Sequence, residues 1–283
     1  LLNIVFQLIQ QFSGGGIFVS EVWRFSGFFS HPNPAALYYL LVFTFSFQVV
    51  THVQEELKRL AIFTMLVSLA GLVLTLSIGG IIATFIAAGM VLAITRSRKA
   101  ISRWGLLLSL IAAISAVVFP GLVTRAVALS NSSSYVSGDQ TNSLVWRFEH
   151  WQAFWPYFVE NPVFGLGYGA TTTGLLTVDG LWPHNEYLRL LVELGLLGVL
   201  ALCLILVNFI KMLWIQARSI DNWAAQVGIS CLVALLVNVI TENTFTYTVP
   251  MLFLAIFLGG GISKQSHVLA KPATYDEDYP AIS

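Results

Sequence analysis

His184 and two arginines, Arg24 and Arg147, are the side chains of this sequence best suited to chemistry. His184 stands in Trp182-Pro183-His184-Asn185-Glu186, directly before an apolar run, with Asn185 placed to cap the helix that follows. A neutral imidazole can take a proton from a hydroxyl. Arginine presents a planar fork that matches phosphate oxygens in pairs. Between Arg147 and His184 lies Asn161-Pro162-Val163-Phe164-Gly165-Leu166-Gly167-Tyr168-Gly169. Its alternate glycines, Gly165 and Gly167 among them, would let backbone N–H groups approach a phosphate. No strand–helix–strand unit surrounds them, which excludes a dinucleotide fingerprint. Arg189 and Glu193 follow at i, i+4 in an otherwise apolar helix. Plainer readings stand beside these: a simple glycine turn, a helix-start histidine bonded to backbone, and an ion pair that satisfies itself.

The elements that must position these residues are built to cross a bilayer. The 283 residues are 57% hydrophobic and only 10% charged, with a mean hydropathy of +0.79. Soluble globular chains carry about 25% charged residues, so a water-facing globule is excluded. Fourteen basic residues balance fourteen acidic ones, which implies no nucleic-acid partner. Cys203 and Cys231 sit inside apolar runs and read as small apolar side chains rather than a disulfide. Apolar runs predict spans over 36–51, 60–77, 78–95, 105–123, 187–210, 223–240 and 246–263. Ser77-Ile78-Gly79-Gly80 is the expected tight turn between the second and third. Leu1 to Phe12 is apolar, but twelve helical residues rise only about 18 Å against a hydrocarbon core of about 30 Å. We read it as the tail of a spanning helix whose start lies upstream.

Basic residues orient the chain. Arg96, Arg98, Lys99 and Arg103 mark 95–104 as cytoplasmic. Strict alternation then places Lys58, Arg59, Lys211, Arg218, Lys264 and Lys271 on the same side, which makes ten of the fourteen. Arg24, Arg125 and Arg147 fall outside. The expected organisation is transmembrane helices over 1–123 with an external segment at 13–35. An external loop at 124–186, further spans at 187–263 and a cytoplasmic tail at 264–283 complete it. The long loop opens with the flexible composition Ser130-Asn131-Ser132-Ser133-Ser134. Leu144, Phe148, Trp151, Trp155 and Phe158 then recur at helical spacing, with Arg147 and His150 on the other side. Such a helix should lie in the headgroup layer, and Pro156 should kink or end it. There Arg24 and Arg147 either meet a specific phosphate or snorkel to bulk lipid.

Several of these pieces together resemble a known family. Arg147-x-x-x-Trp151, Asn161-Pro162-x-x-Gly165-x-Gly167-x-Gly169, His184-Asn185-x-Tyr187-Leu188 and Glu193-x-Gly195-x-x-Gly198 are similar to the C-terminal signature of the O-antigen ligase and polymerase superfamily. Arg24-x-x-Gly27-Phe28, then Pro32-Asn33 with Ala35 and Ala36, resembles its earlier external motif. The resemblance implies an all-α polytopic transmembrane bundle of the GT-C type in the bacterial inner membrane, with short interfacial helices in its external loop. It implies a metal-independent glycosyltransferase, without cofactor, that takes glycan from an undecaprenyl-diphosphate-linked donor on the periplasmic face. The acceptor would be lipid A core, another glycan or a protein hydroxyl. In that scheme Arg147 and His184 are catalytic, and Arg24, Arg147, Gly165, Gly167 and Arg189 bind the donor diphosphate. Relatives often carry an arginine where this chain has Ile78, so one donor-site cation is absent or comes from elsewhere. The alternatives are a transporter of a small anion such as bicarbonate, which would need polar residues through the bilayer midplane, and an inactive family member.

Overall fold

A computed structural model of the chain describes residues 1–19, 22–52, 55–95, 120–130, 143–172, 182–218 and 222–269, with positions 102, 105, 117 and 176. Most of the expected span 105–123, the basic residues Arg96, Arg98, Lys99 and Arg103, the flexible stretch 131–142 and the tail from 270 lie outside these residues. Helices dominate: α1 (Leu2–Ser13), α2 (Pro32–His52), α3 (Glu55–Leu74), α4 (Ile78–Thr95), α5 (Pro120–Ser130), α6 (Ser143–Glu160), α7 (Glu186–Ala217), α8 (Trp223–Asn238) and α9 (Thr248–Leu269). One short antiparallel hairpin, β1 (Ile17–Val19) with β2 (Val22–Arg24), follows α1, and a 3₁₀ turn (Thr244–Thr246) precedes α9. The chain is an all-α polytopic bundle.

Three described helices are long and apolar enough to cross a membrane, within Pro32–Thr51, Leu57–Leu74 and Glu186–Ala217. Shorter apolar helices cover Ile78–Ile94, Trp223–Asn238 and Thr248–Gly261. In α7 the most apolar window has a mean hydropathy of 2.8, yet only 22% of it is buried. Leu196, Leu197, Leu200, Leu204 and Ile205 face outward, as lipid-covered residues do. The core lies where α2, α4, α8 and α9 meet, around Leu37, Leu41, Ala83, Ala87, Ala234 and Leu254. Gly80 belongs to this packing, because a Cβ there would stand 2.9 Å from the Ala36 Cβ. The turn between α3 and α4 is therefore Thr75-Leu76-Ser77, earlier than expected, and Gly79 and Gly80 lie inside α4. Leu76 takes the left-handed conformation that the turn demands, with φ of 48°.

Two elements differ from their sequence reading in an instructive way. Helix α1 turns its polar stripe inward. Gln7 is fully buried and donates to the Phe25 and Gly71 carbonyls, while Gln10 accepts from the Ser26 and Gly27 N–H groups. Its apolar residues, Val5, Phe6, Ile9 and Phe12 among them, face outward. Helix α6 runs through Pro156 to Glu160 instead of ending early. A proline leaves only one carbonyl of the preceding turn without a donor, and the solvent-facing side of a helix tolerates this. Pro156 is exposed.

Candidate active site at one end of the bundle

The start of α2, the end of α3, the starts of α4 and α7 and the end of α8 all reach the same end of the bundle. There the connection Val239–Asn243 brings in a carboxylate that sequence reasoning passed over. Glu242 is buried, and Arg147 from α6 forms an ion pair with its Oε1 at 3.0 Å. The Arg147 Nε also donates to the Thr241 carbonyl at 3.1 Å. Asn33 donates to the same Oε1 at 2.6 Å, and the Tyr247 hydroxyl donates to Oε2 at 2.9 Å. Arg24 joins through Asn33, donating to its Oδ1 at 2.6 Å and to the Thr75 carbonyl at 2.8 Å. Thus the turn just before Ile78 receives a cation from the β-hairpin.

His184 completes the group, with its Nδ1 3.7 Å from Glu242 Oε2. Its backbone sits at φ of 48°, and Asn185 behind it caps α7 by accepting from the Leu188 N–H at 3.1 Å. Trp146 stands edge-on to the His184 ring at 5.3 Å and stacks on His150 at 4.7 Å. His150 contacts the Trp182 carbonyl at 2.8 Å, which ties α6 to the segment before α7. The inward side of α6 is therefore the one bearing Arg147, His150 and Phe154, whereas Phe148 and Trp155 are exposed. An apolar groove of about 330 Å³ runs beside the site, between Phe148, Trp151 and Trp155 of α6 and Tyr187 and Leu191 of α7.

The electrostatics of the cluster hold its charges apart. Burial alone would push the Glu242 carboxyl up, but His184 and the Arg147 guanidinium beside it prevail and hold it down at about 2. Burial and that same carboxylate keep the Tyr247 phenol protonated, well above its ordinary value. His31, which sequence reasoning also omitted, lies within the field of Arg24, Arg147, His184 and Glu242. Burial, and then the Arg24 charge, lower it to about 4, so its ring is neutral at pH 7. The site thus offers two arginines, two histidines and one ionised carboxylate. That set can bind an anion and move a proton.

Three residues assigned from sequence do not join this group. The N–H groups of Gly165, Leu166 and Gly167 donate to the carbonyls of Asn161, Val192 and Glu193 at 3.0, 2.9 and 2.9 Å. They seal a break in α7, where Gly195 leaves helical geometry with φ of 64° and ψ of −174°. In return Leu196 and Leu197 donate to the Pro162 and Val163 carbonyls. The two backbones touch so closely that a Cβ on Gly165 would lie 2.5 Å from the Glu193 carbonyl carbon. The glycine turn and the Glu193-x-Gly195 motif are two halves of one joint, with no N–H of Gly165 or Gly167 left for a phosphate. Arg189 is likewise engaged. It is 2% exposed, bonded to Glu186 and, at 3.3 Å, to Glu193, while the Thr171 N–H and hydroxyl also donate to Glu193. Its charge serves the joint rather than the cluster.

A membrane-spanning helical bundle with two arginines, two histidines and one buried carboxylate gathered at one end defines the class of this protein. The O-antigen ligase family model matches residues 63–203, and the chain belongs to the O-antigen ligase and polymerase superfamily. No curated protein matches it. The match includes Arg147, His184 and Arg189, whereas Arg24, His31, Asn33 and Glu242 lie outside it. Membership makes the protein an integral membrane protein of glycan transfer in the broad sense.

Proposed function

We propose that this protein transfers glycan from an undecaprenyl-diphosphate-linked donor to an acceptor hydroxyl, without a metal, on the periplasmic face of the bacterial inner membrane. The acceptor is lipid A core, a growing glycan or a protein side chain. The observation that carries this reading is the convergence of Arg147, His184 and, through Asn33, Arg24 on one carboxylate at one end of the bundle. Arg147 takes the donor diphosphate, because a planar fork suits its oxygens and a recessed site strengthens the contact. Arg24 fixes the wall of the site through the hairpin and Asn33. The isoprenoid chain lies along the apolar groove between α6 and α7, whose aromatic residues suit the headgroup boundary. His184 draws the proton from the acceptor hydroxyl while that oxygen bonds to the anomeric carbon. The carbon–oxygen bond to the diphosphate breaks, its electron pair leaves with the diphosphate, and Arg147 stabilises the charge that develops there.

The test is stoichiometric. Membranes containing the protein, supplied with the lipid-linked glycan and the acceptor, should release one undecaprenyl diphosphate for each glycan joined. Uptake of bicarbonate without any release would replace this reading with the transporter.

A further inference from the structure

The transfer chemistry leaves the central carboxylate without a role, and its geometry supplies one. Glu242 is held on three sides, by Arg147 and Asn33 at Oε1 and by Tyr247 at Oε2. On the fourth side Oε2 faces His184 Nδ1 at 3.7 Å, about 0.5 Å beyond hydrogen-bonding range. That nitrogen is buried and has no hydrogen-bond partner among the described residues. A buried imidazole nitrogen without a partner is a costly arrangement, and among the described residues the charges beside it are this carboxylate and the arginine that restrains it. The His184 backbone is held in the left-handed region next to the Asn185 cap. Such conformations persist where the surroundings fix a residue's direction, and here Trp146 bounds the ring as well.

We infer that Glu242 is the positioning residue for His184: it fixes the ring proton on Nδ1 so that Nε2 is the base, and the donor completes this arrangement by drawing Arg147 away. The inference rests on the transfer reaction proposed above. Before the donor arrives, the Arg147 guanidinium holds Oε1 and the gap to His184 stays open. A diphosphate carries more charge than one carboxylate and competes for the same fork. Once Arg147 turns to it, Glu242 closes on Nδ1–H. The acceptor proton then passes to Nε2, the Nδ1 proton stays where it is, and the carboxylate stabilises the imidazolium that results. Asn33 and Tyr247 keep the carboxylate from following Arg147. Among the described residues, Arg147, His31 and Glu242 are the charged or titratable groups about the ring, and Glu242 Oε2 is the acceptor that faces Nδ1.

Histidine ¹⁵N NMR on the full chain in lipid nanodiscs tests this, with His184→Gln assigning the signal and undecaprenyl diphosphate as the probe. In the neutral ring the wild-type protein with the probe should carry its proton on Nδ1. Glu242→Gln keeps the shape and an acceptor for Asn33 but turns an amide N–H₂ toward the ring, so the proton should move to Nε2. In transfer assays that variant should lose about 10²–10⁴ in kcat, as when a triad carboxylate becomes an amide, with donor KM near wild type. Glu242→Asp should keep the Nδ1–H form and recover part of the rate. An Nε2–H ring in the wild-type protein with the probe bound would overturn the inference. So would a raised donor KM with intact kcat in Glu242→Gln, which would make Glu242 only an anchor for Arg147. Absence of transfer by the wild type would instead overturn the proposed function, and the ring-proton measurement would still decide the placement.

Discussion

At the scale of single residues, the arginines separate by what surrounds them. Arg189 lies buried between Glu186 and Glu193, so Arg189→Ala should destabilise by about 3–5 kcal/mol by leaving carboxylates unpaired. The measurement is thermal unfolding in detergent, and the same variant should show no loss of turnover beyond its loss of protein. His31 provides a pH dependence with a definite sign. Its folded value of about 4 lies below the ordinary 6.5, so the unfolded chain binds the proton first and stability falls as pH drops from about 6.5 through about 4. Glu242 has the opposite origin but adds to the same trend. Its ion pair contributes stability above the ordinary 4.5, and that contribution is lost as pH falls toward about 2. Unfolding temperatures of wild type and His31→Gln between pH 4 and 7 should diverge from wild type toward the acid end, with the variant less sensitive. Arg147 and His184 were legible because their types, in a chain so poor in polar residues, invite a chemical reading. Glu242 was not legible, since one carboxylate in a short turn has no spacing to betray it, and its contact with Asn33 spans 209 positions.

At the scale of elements, the joint between the glycine turn and α7 explains why both need glycine. Gly165→Ala places a side chain at φ of 68° and 2.5 Å from backbone, whereas Gly167→Ala at φ of 99° meets nothing within 4 Å. Both should suffer the backbone penalty of about 1–2 kcal/mol, and Gly165→Ala should lose distinctly more, as read by unfolding in detergent. Equal losses would mean the joint yields easily. Apolar periodicity disclosed α6, and the Asn185 cap disclosed the start of α7, because local hydrogen bonds and facing residues set both. The turn between α3 and α4 escaped because glycine pairs signal either a turn or close helix packing, and here Ala36 decides for packing. The inward stripe of α1 escaped for a related reason. In a bilayer the apolar side of a helix needs no partner, so Gln7 and Gln10 bind the loop that follows Arg24 while Phe6 and Phe12 face outward.

At the scale of the molecule, transfer at this cluster requires that the external segments meet on one side of the membrane. The alternation of basic residues expects 13–35 and 124–186 there, and Arg24, Asn33, Arg147, His184 and Glu242 lie together at one end of the bundle. A cysteine introduced at position 138 should react with a membrane-impermeant reagent in intact cells, whereas labelling only after permeabilisation would invert the topology. Donor binding and transfer, measured separately in Arg147→Ala and His184→Ala at matched protein level, test the roles of these two side chains. Arg147→Ala should weaken binding of the lipid-linked donor and reduce transfer by about 10²–10³, with Arg147→Lys restoring only part. His184→Ala should bind donor normally and transfer nothing. Near-normal transfer by both alanine variants would contradict a catalytic role for either residue and make this cluster a structural feature of the bundle.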